Sequence, residues 1–400
     1  MTFITAELYA TNAANSANHG SGGGPPLAKK IIITRACDVP PDVRVEKIAD
    51  SLCSLGHSVS VLAWNRGDEL PRREIRSFGE IRRFRIRAGY GYGIKLLPKM
   101  LRFWLVLFAN LLKERFDVVH ACDFDTLPPA LLAAKLKGKK LVYDIFDFYA
   151  EGGSVPRALR PLIRFAEKLL MRLADSVIVV DEVRLPYLPD GVTRRTEIIY
   201  NSPPDMLGRL EISSFPRVPP KNCRFRVVYS GNLIDGRYTL ELAEAVGRSD
   251  GTEMIIAGFG PKQFVDKLVA KISGYGNISY TGKLSLPESL ALVSTADAVF
   301  SLNDPAIPNN KMASSNKLFE TMMLGKPVVV NRGTAMEEKV RTLNCGLVVE
   351  DGSPESLVDA LCFLREKPTL ARQMGESGRR AYEKLYDWKF MTDRLAKLYQ

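Results

Sequence analysis

Short β-branched runs alternate with helical stretches, twice over, on either side of a proline-rich break, and few folds accept that order. Residues 30–34 (KIIIT) predict a strand, 43–55 a helix stopped by Gly56, and 58–62 (SVSVL) a second strand. A strand, a helix and a strand joined this closely form a right-handed parallel unit. The pattern continues with a strand at 117–120, a helix at 127–135, a strand at 140–143, a helix at 161–173 and a strand at 176–180. Pro203, Pro204, Pro216, Pro219 and Pro220 then interrupt it in a stretch without apolar period. A second series follows, with strands at 225–229, 253–257, 278–280, 298–302 and 328–330. The expected fold class is α/β: two Rossmann-like, doubly wound domains facing a central cleft, with ligands at the carboxyl ends of the strands. The expected boundaries are a disordered tail at 1–28, a first domain at 29–202, a linker at 203–222, a second domain at 223–381, and a helix at 382–400 crossing back onto the first domain.

Composition narrows the function. The chain carries 56 Lys and Arg against 45 Asp and Glu, a net charge of +11, which favours an anionic partner. Six cysteines without CxxC spacing predict neither a disulfide scaffold nor a zinc site, and suggest a reduced, intracellular chain. Residues 1–28 lack a basic then apolar signal-peptide pattern. Residues 103–112 (FWLVLFANLL) are the most apolar run, but a bilayer core needs about 20 residues. Most of the positive excess lies in 66–115 and 157–172. We expect residues 94–112, from Ile94 to Leu112, to lie on an anionic membrane surface, with the Arg82 to Arg87 run beside them. A core helix with a solvated basic face is the alternative. No nucleic-acid-binding module is evident, so no nucleic-acid partner is expected.

Five segments carry a resemblance: FDVVHACDFDTLPPALLAAKLKGKKLVYD (116–144), VVYSGNL (227–233), IIAGFGP (255–261), TGKLSLPESLALVSTADAVFSL (281–302) and NKLFETMMLGKPVV (316–329). Together, in register over about 30–395, they resemble glycosyltransferase family 4, whose members are retaining, metal-independent enzymes of the GT-B fold that use nucleotide sugars. The resemblance implies transfer of a sugar from a nucleotide-diphospho-sugar to a glycan or lipid-linked acceptor. It implies no metal or other cofactor. The cysteine usage and the basic segment 94–112 together lead us to expect a cytoplasmic chain, peripheral on the inner face of the membrane. A catalytically inactive sugar-nucleotide-binding subunit and a sugar-nucleotide epimerase on the same fold are the rival readings.

Site residues follow. Ser315, Asn316 and Lys317 enter a predicted helix, where free N–H groups and an ammonium favour phosphate. Glu320, one turn on, is by resemblance the ribose-binding glutamate. Gly231 and Asn232 close a strand, with Asn232 where the family carries an arginine; Arg237 stands near the family's lysine about five residues on and can supply that second charge through its planar donor fork. Gly258 and Gly260 predict a tight turn. Gly282, Lys283 and Leu284 resemble the segment that contacts the base. Met312 stands where many members carry a glutamate, so Ala313 and Ser314 are expected to take the sugar instead. In the first domain, His120 is expected at a strand end beside the donor sugar. Arg44 is expected to reach a phosphate, Asp125 to cap the next helix, and Asp123 is open between an acceptor contact and a cap. Lys317, Arg237 and His120 are the expected catalytic residues.

Overall fold

The computed structural model describes residues 28–39, 42–67, 69–89, 96–152, 155–211, 225–350 and 352–400. The expected tail up to residue 27, residues 212–222 of the expected linker, and Ile94 and Lys95 lie outside the described residues. Two compact units form. Unit 1 runs to Tyr200 and takes back Met391–Gln400, and unit 2 is Asn201–Phe390.

Unit 1 is built on strands β1 (Lys30–Arg35), β2 (Ser58–Asn65), β3 (Arg73–Arg76), β4 (Gly79–Arg85), β5 (Val118–Cys122), β6 (Lys140–Ile145), β7 (Ser176–Val179) and β8 (Thr196–Ile198). Their order is β3-β4-β2-β1-β5-β6-β7-β8, parallel except for β3 against β4. Central strands of such a sheet are covered on both faces and so read as continuous apolar runs; Ile31, Ile32 and Ile33 are all buried. The helices are α1 (Val43–Ser54), α2 (Leu97–Lys113), α3 (Leu127–Lys137) and α4 (Arg160–Met171). Asp42 caps α1, accepting from the Val45 amide at 3.1 Å, and Gly56, at φ +87°, ends it. Thr126, not the expected Asp125, occupies the cap position of α3.

Two expectations need correction here. Of the Arg82 to Arg87 run, Arg82, Arg83 and Arg85 lie in β4, and Arg82 and Arg83 face protein carboxylates, while Arg85 and Arg87 are exposed. Arg82 pairs with Glu114 at 2.7 Å, and Arg83 is buried against Glu74. And β5 runs two residues further than its apolar run suggested, so His120 sits in mid-strand, opposite Ile33 and Val142.

Unit 2 is a fully parallel sheet of β9 (Phe225–Asn232), β10 (Thr252–Phe259), β11 (Ile278–Gly282), β12 (Ala298–Phe300), β13 (Val328–Asn331) and β14 (Gly346–Val349), in the order β11-β10-β9-β12-β13-β14. Between them come α5 (Thr239–Gly247), α6 (Lys262–Ile272), α7 (Leu286–Ser294), α8 (Pro308–Lys311), α9 (Asn316–Met323) and α10 (Ala335–Leu343); α11 (Pro354–Glu366) and α12 (Pro368–Ala381) follow. A π-helical turn, Tyr382–Tyr386, precedes α13 (Trp388–Leu398), whose last turns belong to unit 1. The expected helix over 382–400 is thus broken at its start. No described helix is long and apolar enough to cross a membrane.

Helix α4 buries little except Met171 and Glu167. Glu167 is 2% exposed and accepts from the Tyr143 hydroxyl at 2.8 Å. Burial pushes its carboxyl up to about 7, against the pull of that hydrogen bond. A carboxyl raised in the folded state contributes stability that is present below about pH 4.3 and lost as pH rises through about 7. Glu167→Gln keeps an acceptor for Tyr143 and removes the titration. Urea unfolding should show the variant gaining on wild type by on the order of 1–3 kcal/mol between about pH 4.5 and about pH 8.

Candidate active site

In unit 2 the carboxyl ends of β9, β10 and β11 lie side by side. Gly231 pairs with Gly258, Asn232 with Phe259, and Ala257 with Gly282. Glycine is required at Gly258, because a Cβ there would stand 2.0 Å from the Gly231 carbonyl oxygen. A Cβ at Gly260 would stand 1.9 Å from the Leu233 carbonyl. These glycines therefore permit two strand ends to touch, which is a packing role beyond the expected turn. Lys283 places its ammonium 4.9 Å from the Phe259 ring centre.

Lys317, in the first turn of α9, comes back to the same edge. Its Nζ lies 4.0 Å from the centre of the Tyr229 ring, and a Cβ on Gly231 would be 3.5 Å from it. Burial would raise the Tyr229 phenol, but the ammonium beside it draws it below its ordinary value. Ser315 caps α9, accepting from the Lys317 amide at 3.3 Å. Ser314 is buried, Ala313 and Glu320 are half-buried, and Asn316 is exposed. Met312 is buried and its amide closes α8. Arg237 donates to the Asn303 side chain. Asn303 is held in turn by Asn331, whose side chain accepts from the Asn303 amide at 2.9 Å and donates to its carbonyl at 2.8 Å. Neither Lys317, Arg237 nor Lys283 has a carboxylate partner among the described residues. The edge is therefore an anion-seeking surface with its cations fixed in direction by a ring and an amide. Tyr229 and Asn303 were not foreseen; a polar residue just past a buried strand was the available signal.

The corresponding edge of unit 1 is charged but compensated. Arg44, 5% exposed, donates twice to Asp144, at 2.8 and 3.0 Å, and to the Ile199 carbonyl at 2.8 Å. Burial would raise Asp144, yet Arg44 and His120 hold it below the ordinary carboxylate range. The expected phosphate contact by Arg44 therefore gives way to a buried ion pair. His120 is equally committed. It is fully buried, with Nδ1 2.5 Å from the Tyr399 hydroxyl and Nε2 3.3 Å from Asp144. The expected sugar contact by His120 is replaced by a tie to the returning C-terminal segment. His120, Cys122 and Asp144 bring three potential metal ligands together, but the His and Asp donors are already used and a guanidinium stands against the carboxylate.

Asp123, in the left-handed region at φ +61°, accepts from the Phe146 amide at 2.9 Å, the Asp147 amide at 3.3 Å, and Arg35. It fixes the loop after β6 and caps nothing. Burial pushes it up to about 7, opposed by Arg35.

Residues 41–201 match the glycosyl transferase 4-like domain, and 224–367 match the glycosyl transferases group 1. The chain belongs to the group 1 glycosyl transferases. This glycosyl transferase is 22% identical over 339 residues to an uncharacterized glycosyltransferase of Methanocaldococcus jannaschii, covering 75% of this chain and 79% of that one. It is 25% identical over 299 residues to one of Bacillus subtilis, covering 72% and 78%. Its fold, two parallel-sheet Rossmann-like domains, is similar to that of sucrose-phosphate synthase from Thermosynechococcus elongatus (TM-score 0.75, 15% identity, 93% of this chain and 98% of that one). Anabaena HepE, solved with UDP-glucose, is also similar (TM-score 0.68, 16% identity, 92% and 98%).

Gly258→Ala tests the strand contact in this transferase. The methyl group must push the Gly231 carbonyl away, at a φ of +155°. Urea unfolding should show a loss of about 1–3 kcal/mol, and nucleoside-diphosphate binding by calorimetry should weaken with it.

Proposed function

We propose that this glycosyl transferase takes its sugar from a nucleoside-diphosphate donor seated at the carboxyl edge of unit 2. The observation that carries the reading is the pair of cations without carboxylate partners, Lys317 and Arg237, at strand ends cleared by glycine. A dianionic diphosphate is the ligand such an edge suits. HepE, solved with UDP and with UDP-glucose, supports it by analogy of fold.

In this reading Lys317 and Arg237 hold the diphosphate, with Gly231 and Asn232 below it. Glu320 accepts both ribose hydroxyls, Gly282, Lys283 and Leu284 meet the base, and Ala313, Ser314, Ser315 and Asn316 meet the sugar and phosphates. Unit 1 receives the acceptor, a glycan or lipid-linked hydroxyl. Configuration is retained. The acceptor oxygen bonds to the anomeric carbon as the carbon–phosphate-oxygen bond breaks, and the acceptor proton passes to the leaving diphosphate. Asp123 and Asp144 both face guanidinium groups and serve that charge rather than a base role. The two cations stabilise charge developing on the leaving group, so no metal is required. The enzyme works in the cytoplasm, peripheral on the inner membrane face, where residues 94–112 contribute to the contact.

Glu320→Ala should weaken nucleoside-diphosphate affinity by at least tenfold in calorimetry, since each hydrogen bond to a charged partner is worth roughly 1.5–3 kcal/mol. Unchanged affinity in a folded variant would remove Glu320 from the site. Nucleotide release from the donor should continue in excess EDTA; loss reversed by magnesium or manganese would contradict the metal-free mechanism.

A further inference from the structure

Helices α2, α3 and α4 lie next to one another in unit 1, α2 packing on α3 and α3 touching α4. Each hides one stripe and turns another outward. On α4, Leu162 and Phe165 are each 65% exposed and Leu169 46%. On α3, Leu132 and Leu136 are 52% and 65% exposed, and on α2, Leu105 is 70% exposed. Scattered surface leucines are ordinary, but three neighbouring helices with outward apolar stripes form a patch. The α3 and α2 ends are tied, Lys137 donating to the Leu112 carbonyl at 2.9 Å.

The charge on this surface is one-sided. Arg157, Lys168 and Arg172 around α4, and Lys99 and Arg102 on α2, have no ion-pair partner among the described residues. The one acid of α4, Glu167, points inward to Tyr143.

We propose that the outer face of α2, α3 and α4 docks on an anionic lipid bilayer, with α4 as its main element. This deepens the membrane half of the functional reading and moves its centre away from α2; it does not depend on the donor half. Two copies meeting through this face would set like charges against each other. A nucleic-acid backbone would satisfy the cations and leave the leucines wet. An anionic bilayer meets both demands, accepting apolar side chains below its headgroups and cations among them.

The experiment is co-sedimentation of the full chain with phosphatidylcholine vesicles, alone or with about 30% phosphatidylglycerol, at low and high salt. The wild type should bind the anionic vesicles more tightly than the neutral ones, and less as salt rises. Arg157→Gln with Lys168→Gln and Arg172→Gln should weaken binding about a hundredfold, at about fivefold per charge. Leu162→Ser with Phe165→Ser should lower binding that survives high salt. Leu132→Ser with Leu136→Ser serves if either set misfolds. Equal partition on the two vesicles, or no effect of any set, overturns the proposal. So does a dimer in light scattering that the leucine variants dissolve without any vesicle binding. Nucleoside-diphosphate calorimetry on the same samples separates the two readings: wild type that binds nucleotide but shows no preference for the anionic vesicles rejects only the docking face.

Discussion

Arg44 and Asp144 are removed from water together, and unit 1 depends on their staying together. An isolated charge in that position would be strongly destabilising, and breaking such a pair typically costs about 3–5 kcal/mol. The pair does more than cancel itself. Asp144 also meets His120, His120 meets Tyr399, and Arg44 reaches the Ile199 carbonyl. One buried network therefore links α1, β5, β6, the end of the first stretch of unit 1 and the segment that returns to it from the C-terminus. Lys29 adds to the same closure by donating to the Tyr399 carbonyl at 2.6 Å.

The two units put the same kind of residue to opposite uses. At the carboxyl edge of unit 1, Arg35 faces Asp42 and Asp123, Arg44 faces Asp144, and Arg66 is 4.0 Å from Asp125. Each of these three guanidiniums faces a carboxylate. In unit 2, Lys317 and Arg237 are oriented by a tyrosine ring and an asparagine, partners that direct a cation without neutralising it. That asymmetry is the basis for proposing the diphosphate site in unit 2.

The double α/β pattern was legible because buried parallel strands are written as β-branched runs; KIIIT became β1 and FRVVY became the start of β9. Gly231, Lys317 and Gly258 were legible because a strand end, a glycine and a helix entry are all local. Arg44 and His120 were misread for one reason: their partners are distant in sequence, Asp144 at 100 residues from Arg44 and Tyr399 at 279 from His120. An arginine at a helix entry carries no mark of such a partner. Arg82 and Arg83 in β4 were illegible in the same way, since Glu114 and Glu74 pair with them only once folded. The exposed stripe of α4 was half legible, its charge visible and its leucines indistinguishable from core.

The most direct test of the account compares a nucleoside diphosphate with its nucleoside in calorimetry, for wild type and for Lys317→Met. With UDP and uridine as probes, the account predicts that the diphosphate adds tenfold or more to wild-type affinity, roughly the 1.5–3 kcal/mol of one charged hydrogen bond. Most of that gain should vanish in Lys317→Met while uridine binds as before. A diphosphate gain that is the same in both proteins would contradict it and send the search for the phosphate site elsewhere.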